Sequence, residues 1–442
     1  MRNIQKLIAF VFVLLACSCT IDDFVEDPNK DEIVITPKTG TGTGSASYLP
    51  NYSNNSLVVQ FITGTTDPQK ATIRAFNGVS NFEKCHCTNK DIELWYFGGI
   101  INVEPKKRAI KGQIDPEGTT GLEEVDYQFT FGFDIEPGYT GTAEDLSYEP
   151  YIKPSSPSSS ITVAVVDTGV APTLTVFNDD EENPIQFLYE SGETAVADEK
   201  SGWDFVTEDP NTFDDDIGKH GSIISKMIFE ELREKEIDFQ LLPVKVAGPG
   251  GETTYFDFLC GTLYAMERAD VVNISMGWYD TGEHPEIRTI FENIVAANPN
   301  VILVTSAGNV ENNNDDLAHF PSSFEHPNII AVASSNQAKD KISDFSNFGL
   351  EGVDFFAQGE GISFYDATVQ GTSFAAPQVT IQIANLINDA TVSLYTETGE
   401  LLPEVLFDEL NIRGTDVSGY FTFRSGEYRN TKYNTLIIPF DF

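Results

Sequence analysis

Apolar positions recur along this chain in two rhythms. Short apolar runs stand at 161–166 (ITVAVV), 241–246 (LLPVKV), 271–275 (VVNIS), 301–307 (VILVTSA) and 329–334 (IIAVAS). Near-continuous runs rich in Val, Ile and Leu belong to strands buried on both faces, as in a parallel sheet. Between them the spacing becomes helical. Over 254–269, Phe256, Leu259, Leu263 and Met266 recur every three or four residues and share one helix face. This alternation predicts an α/β layer structure with a doubly wound, mostly parallel sheet over 161–442. In such sheets chemistry collects at the carboxyl ends of the strands.

A smaller unit is expected upstream, over 48–135. Residues 56–62 (SLVVQFI) read as a buried strand, and 67–76 as a short helix with Asp67 as N-cap and Pro68 at its first position. Strand signals return at 82–97 and a Lys-rich helical piece at 105–112. Alternating Tyr127, Phe129, Phe131 and Phe133 close the unit. The order β-α-β-β-α-β is that of a ferredoxin-like α+β fold. Cys85-His86-Cys87 invites a metal reading, but on a strand His86 points away from its two neighbours, so structural or redox-inert cysteines are expected instead. Cys260 falls within the helical stretch and is expected in the core. Residues 136–160, rich in Pro, Gly and Ser, read as a linker and an exposed cleavage target.

The first segment reads as an address. Arg2 and Lys6 precede an apolar run over 7–16 that is too short to cross a bilayer, so residues 1–16 are expected to be a signal peptide. Leu14-Leu15-Ala16-Cys17 resembles a bacterial lipobox, which would make Cys17 the lipid-bearing residue, with Cys19 as a second candidate. An ordinary secretory signal is the alternative. Asp22-Asp23-Phe24-Val25-Glu26-Asp27 resembles the acidic export signal of Bacteroidetes surface lipoproteins; a solvated tether is the plainer reading. With the Gly/Thr/Ser stretch that follows, residues 17–47 form a flexible tether. The expected location is the cell envelope, on the outer membrane or cell surface through the lipid anchor, with release if the linker is cut.

Charge narrows the partners. The 442 residues carry 68 Asp+Glu against 27 Lys+Arg, a formal net charge of −41. That balance offers phosphates no basic footprint, so nucleic acid is excluded, and an anionic lipid surface would repel the chain. Five cysteines are too few for a disulfide-built scaffold.

Four chain elements carry chemistry. Asp167-Thr168-Gly169 ends the first apolar run of the main region, Lys219-His220-Gly221-Ser222 leads into a helical stretch, Ala307-Gly308-Asn309 ends another run, and Gly371-Thr372-Ser373-Phe374-Ala375-Ala376-Pro377 opens a helix reaching to about 388. A serine nucleophile needs an adjacent base, which His220 supplies near neutral pH. Asp167 would fix the imidazole's tautomer and orientation. The Asn309 amide and the Ser373 N–H at a helix N-terminus would bind an oxyanion.

These residues resemble those of the subtilisin-like serine proteases, in the chain order Asp, His, Ser that the family shows. Their intervals are 53, 89 and 64 residues, and the resemblance covers about 160–390, including 202–216 and 342–349. It implies a serine endopeptidase acting on polypeptides, with the backbone of Ser275, Met276, Gly277, Ala307 and Gly308 pairing with the substrate. It also implies that the 48–135 unit is propeptide-like, a partner covering the site until removed. Two departures stand out. Ile223 replaces a second His of the family, and Trp278 stands where Gly is common and would narrow a subsite. Glu311–Asp316 reads as a solvated loop, with structural calcium held by oxygen ligands as the alternative; no metal site and no certain cofactor is expected. The competing function is a catalytically silent surface lipoprotein that binds peptides or glycans with the same fold. The last 50 residues read as strand-like, finishing the main domain or adding an edge hairpin.

Overall fold

The computed structural model describes residues 50–85, 91–99, 101–115, 117–132, 161–171, 187–191, 199, 201–279, 289–364, 367–418 and 431–437. The expectations for the signal, Cys17, Cys19, the tether, His86, Cys87, Phe133 and the linker 136–160 lie outside these residues.

The upstream unit runs β1 (Asn51–Phe61), α1 (Asp67–Asn77), β2 (Asn81–Lys84), β3 (Ile92–Tyr96), α2 (Val103–Lys111) and β4 (Leu122–Gly132). Its strands lie antiparallel in the order β2-β3-β1-β4. The cap of α1 is Thr66 rather than Asp67. The Thr66 N–H and hydroxyl both donate to Gln69 Oε1, at 2.9 and 2.6 Å. Asp67 instead occupies the first turn, where the helix dipole favours its charge.

The main region runs β5 (Ile161–Asp167), β6 (Trp203–Asp204), α3 (His220–Glu234), β7 (Phe239–Lys245), β8 (Glu252–Thr254), α4 (Tyr255–Met266), β9 (Val271–Ile274), β10 (Trp278–Tyr279) and α5 (Thr289–Ala297). It continues through β11 (Ile302–Ser306), β12 (His319–Phe320), β13 (Ile329–Ser335), β14 (Phe355–Gln358), β15 (Ile362–Phe364), β16 (Ala367–Val369), α6 (Thr372–Asn388), α7 (Pro403–Arg413), β17 (Thr415–Asp416) and β18 (Thr435–Ile437). Among the described residues, nine strands form one sheet in the order β17-β18-β14-β13-β11-β9-β5-β7-β6, and only the β17–β18 pairing is antiparallel. Both faces are covered. Ala164 and Val166 of β5 pack with α4 and α5, while Val163 and Val165 pack with α3 and α6. That double burial is what an unbroken apolar strand requires.

The C-terminal expectation is half right. β17 and β18 pair antiparallel at the sheet edge, and β18 extends the main sheet beside β14. Between α6 and that pair, however, lies a helix. Pro403 opens α7, and Leu406 and Leu410, one turn apart, sink into the core. The strand-forming Val405, Phe407 and Ile412 hide this spacing in the sequence.

The upstream unit is continuous with the main region. β4 pairs antiparallel with β8 (Phe131 opposite Thr253), and the described residues of both regions form one compact body. Phe129 stacks on Tyr255 with ring centroids 4.6 Å apart, and Trp278 meets Phe131 at 5.0 Å and Phe258 at 5.7 Å. Trp278 therefore does not narrow a subsite. It is fully buried in this aromatic seam, because the rings of β4 offer it a larger apolar contact than a solvated groove would. The same strand serves two helix starts, whose first N–H groups lack intrahelical partners. Gln128 Oε1 accepts from the Phe256 N–H at 3.1 Å, and Asp126 Oδ2 accepts from the Ile290 N–H at 2.9 Å. Cys85 is structural and Cys260 lies in the core, and the two form a disulfide across the seam that no local pattern announced, spanning 175 positions of sequence.

Candidate active site

Asp167 is the last residue of β5 and His220 the first of α3. His220 Nδ1 lies 2.8 Å from Asp167 Oδ1 and 3.0 Å from Oδ2. Both side chains are buried. The Thr168 N–H donates to Asp167 Oδ1 at 2.8 Å, and Thr168 Oγ1 accepts from the Gly221 N–H at 2.9 Å, tying the start of α3 to the end of β5. Closeness here demands glycine: a Cβ at Gly221 would stand 2.3 Å from the Gly169 carbonyl oxygen. Burial disfavours a charged His220, but the carboxylate and hydrogen bond of Asp167 outweigh it, so the imidazole pKa lies above its ordinary value.

A second set of carboxylates holds the segment before His220. Asp214 Oδ2 accepts from the Ser222 N–H and hydroxyl at 3.0 and 2.7 Å. Burial, with Asp216 nearby, pushes Asp214 up to about 7. The Lys219 ammonium donates to the carbonyls of Asp214 and Asp216, both at 2.8 Å. Lys219 itself takes a left-handed conformation (φ 55°), which aims the chain into α3. Sequence reasoning missed this network; the run Asp214-Asp215-Asp216 just ahead of His220 was its only local signal.

Ser373 sits in the first turn of α6. Its hydroxyl donates to the Ser275 carbonyl at 3.1 Å, and the Ser275 hydroxyl donates to the Ser373 carbonyl at 2.9 Å. The second bond has a cause in the motif. Pro377, four residues on, has no N–H to return to that carbonyl, and Ser275 takes its place. Asn273 in turn donates to Ser275 Oγ at 2.8 Å. The ring of Phe374 lies 5.4 Å from the His220 ring, so the α6 start and the α3 start adjoin.

Asn309 faces the same helix start. Its Oδ1 accepts from the Thr372 N–H at 2.8 Å and the Thr372 hydroxyl at 2.9 Å. The carbonyl side of the amide is thus committed, which leaves Nδ2 as the donor directed elsewhere. The Gly308 N–H donates to Thr372 Oγ1 at 3.1 Å, so Thr372 is a positioning residue that the motif alone did not single out. Ser275–Gly277 follow β9 and Ala307–Gly308 follow β11, on strands that pair in parallel. Met276 points its side chain into the core. The fold brings all the sequence-predicted residues of the main region to one end of the sheet. His319 is an unforeseen neighbour. A Cβ at Gly277 would stand 2.6 Å from its ring, and burial pushes its pKa down to about 3, keeping it neutral.

The acidic loop has other uses for its oxygens. Asp315 accepts from the N–H groups of Leu350, Glu351 and Gly352 at 2.7, 2.9 and 2.8 Å. Among the described residues no group of three or more His, Cys, Asp or Glu is arranged to hold a metal ion.

The family described as Subtilase family (Peptidase_S8) matches residues 158–401. Subtilisin-like protease 2 of Plasmodium falciparum (isolate 3D7) is 30% identical over 123 residues, 26% of this chain and 9% of that protein. The chain thus spans about a tenth of that relative's length. A cold-adapted subtilisin-like serine proteinase is similar at 22% identity with a TM-score of 0.45, covering 64% of this chain and 89% of that one. For a lanthipeptide protease the values are 20%, 0.46, 62% and 87%.

Proposed function

The chain belongs to the subtilase family of serine proteases, and we propose that it is an exported serine endopeptidase acting on polypeptides. The reading is carried by the 2.8 Å pair of His220 Nδ1 and Asp167, set beside an α6 start that bears Ser373 and holds Asn309. Asp167 fixes the tautomer that makes His220 Nε2 the base for the Ser373 proton. The hydroxyl, released from the Ser275 carbonyl, attacks the substrate carbonyl. Charge that develops on its oxygen meets Asn309 Nδ2 and the Ser373 N–H, donors oriented before the reaction begins. The leaving amine then takes the proton back from His220. The backbone at Ser275–Gly277 and Ala307–Gly308 would hold the substrate as an added strand.

The same reading makes residues 48–135 propeptide-like and Cys17 the lipid anchor of an envelope protein. A fluorophosphonate probe should label the wild type at Ser373 and leave Ser373→Ala unlabelled. Full peptidase activity in Ser373→Ala would overturn the assignment. Mass spectrometry of the mature N-terminus should find a lipid-bearing Cys17; a free N-terminus further along would remove the anchor from the proposal.

A further inference from the structure

The seam between the upstream unit and the main region is built unlike a temporary contact. Its hydrophobic cluster runs without a break from Leu57 and Trp95 through Phe129 to Tyr255, Phe258 and Trp278. Loss of the upstream unit would uncover those last three rings together, an apolar patch that a soluble enzyme does not leave exposed. It would also strip the Phe256 and Ile290 N–H groups of their acceptors. Across this seam runs a covalent bond, Cys85 of the upstream unit to Cys260 of α4, with Cα atoms 5.3 Å apart.

We propose that the upstream unit is a permanent subunit of the enzyme. A cut within 136–160 converts the chain into two polypeptides held by the Cys85–Cys260 disulfide, and does not release the first of them. This rests on the reading of 48–135 as propeptide-like and departs from it at one point: the unit is severed but not shed. The export proposed above would place the chain where disulfides persist. Opening the clasp takes two electrons and two protons, supplied by a dithiol that ends as its own cyclic disulfide and leaves two protein thiols.

The test uses the full chain exported to an oxidising compartment, as wild type and as Ser373→Ala, with a recognition site for an added protease placed within 136–160. In Ser373→Ala the cut is independent of the chain's own chemistry. After cutting, a denaturing gel without reductant should show one species, and dithiothreitol should resolve it into two. Iodoacetamide added without reductant should leave Cys85 and Cys260 unmodified. Two separate chains without reductant, or alkylation of both residues, would overturn the proposal. Cys85→Ser, cut the same way, should part without reductant; if that variant does not fold, the alkylation pattern of the unsubstituted protein still decides. Linked but unlabelled wild type in the fluorophosphonate assay would support the clasp while sinking the protease reading, so the two fail separately.

Discussion

The cleft and the seam are both buried, yet they spend burial in opposite ways. At the cleft, Asp167, His220, Asn309 and Ser373 are held by a few directional hydrogen bonds of 2.8–3.1 Å, and each has one task. Along the seam, Phe129, Phe131, Tyr255, Phe258 and Trp278 share contact among many pairs. Directional polar contacts concentrate consequence in individual atoms, whereas dispersion and area spread it. Polar substitutions at the cleft should therefore abolish function with little loss of stability, and the reverse should hold at the seam.

The largest effect should come from Ser373→Ala or His220→Ala, with kcat down by about 10⁶ as in the subtilisin measurements that motivate the figure. Thermal unfolding should stay close to wild type; a large drop in Tm would show that the cleft carries fold stability and would blur the contrast. Next, Trp278→Ala should cost about 3–5 kcal/mol of stability. The measurement is denaturant unfolding, with kcat of the remaining folded protein largely kept. If kcat collapsed while stability held, the seam would be part of the catalytic machinery. Third, Asn309→Ala should lower kcat by about 10²–10³ with KM little changed, the mark of a donor used only in the transition state. A change confined to KM would place Asn309 in ground-state binding instead.

Two pH effects, smaller, separate the regions further. The His220 pKa is raised, so its protonated form persists to higher pH in the folded enzyme. Its share of stability is complete at low pH and is lost as pH rises through the folded value, whereas the neutral base needed for catalysis appears over the same interval. The profile of kcat/KM should rise with an inflection above about 6.5, the ordinary imidazole value. At the seam, burial pushes Asp126 up to about 7, with Lys107 acting against that and Glu124 adding to it. An acid whose pKa rises on folding contributes stability that is full below about 3.9 and is lost as pH climbs through about 7. Asp126→Asn, which keeps an oxygen for the Ile290 N–H, should flatten that decline in Tm without moving the activity profile. If the activity profile shifted too, seam and cleft would be electrostatically coupled.

What could be read from the residues was what neighbours in the chain decide. The runs at 161–166 and 329–334 needed burial on both faces whatever surrounded them, and they became β5 and β13. The order of Asp167, His220, Asn309 and Ser373 already placed each at the end of a strand or the start of a helix. The pairing of Cys85 with Cys260, the turning of Trp278 away from the substrate strand, and the fixing of Asn309 by Thr372 belonged to the folded molecule alone. Those contacts join residues 20 to 175 positions apart. No local periodicity reports such meetings; they are chosen by which surfaces bury most area and satisfy most polar groups once the layers close.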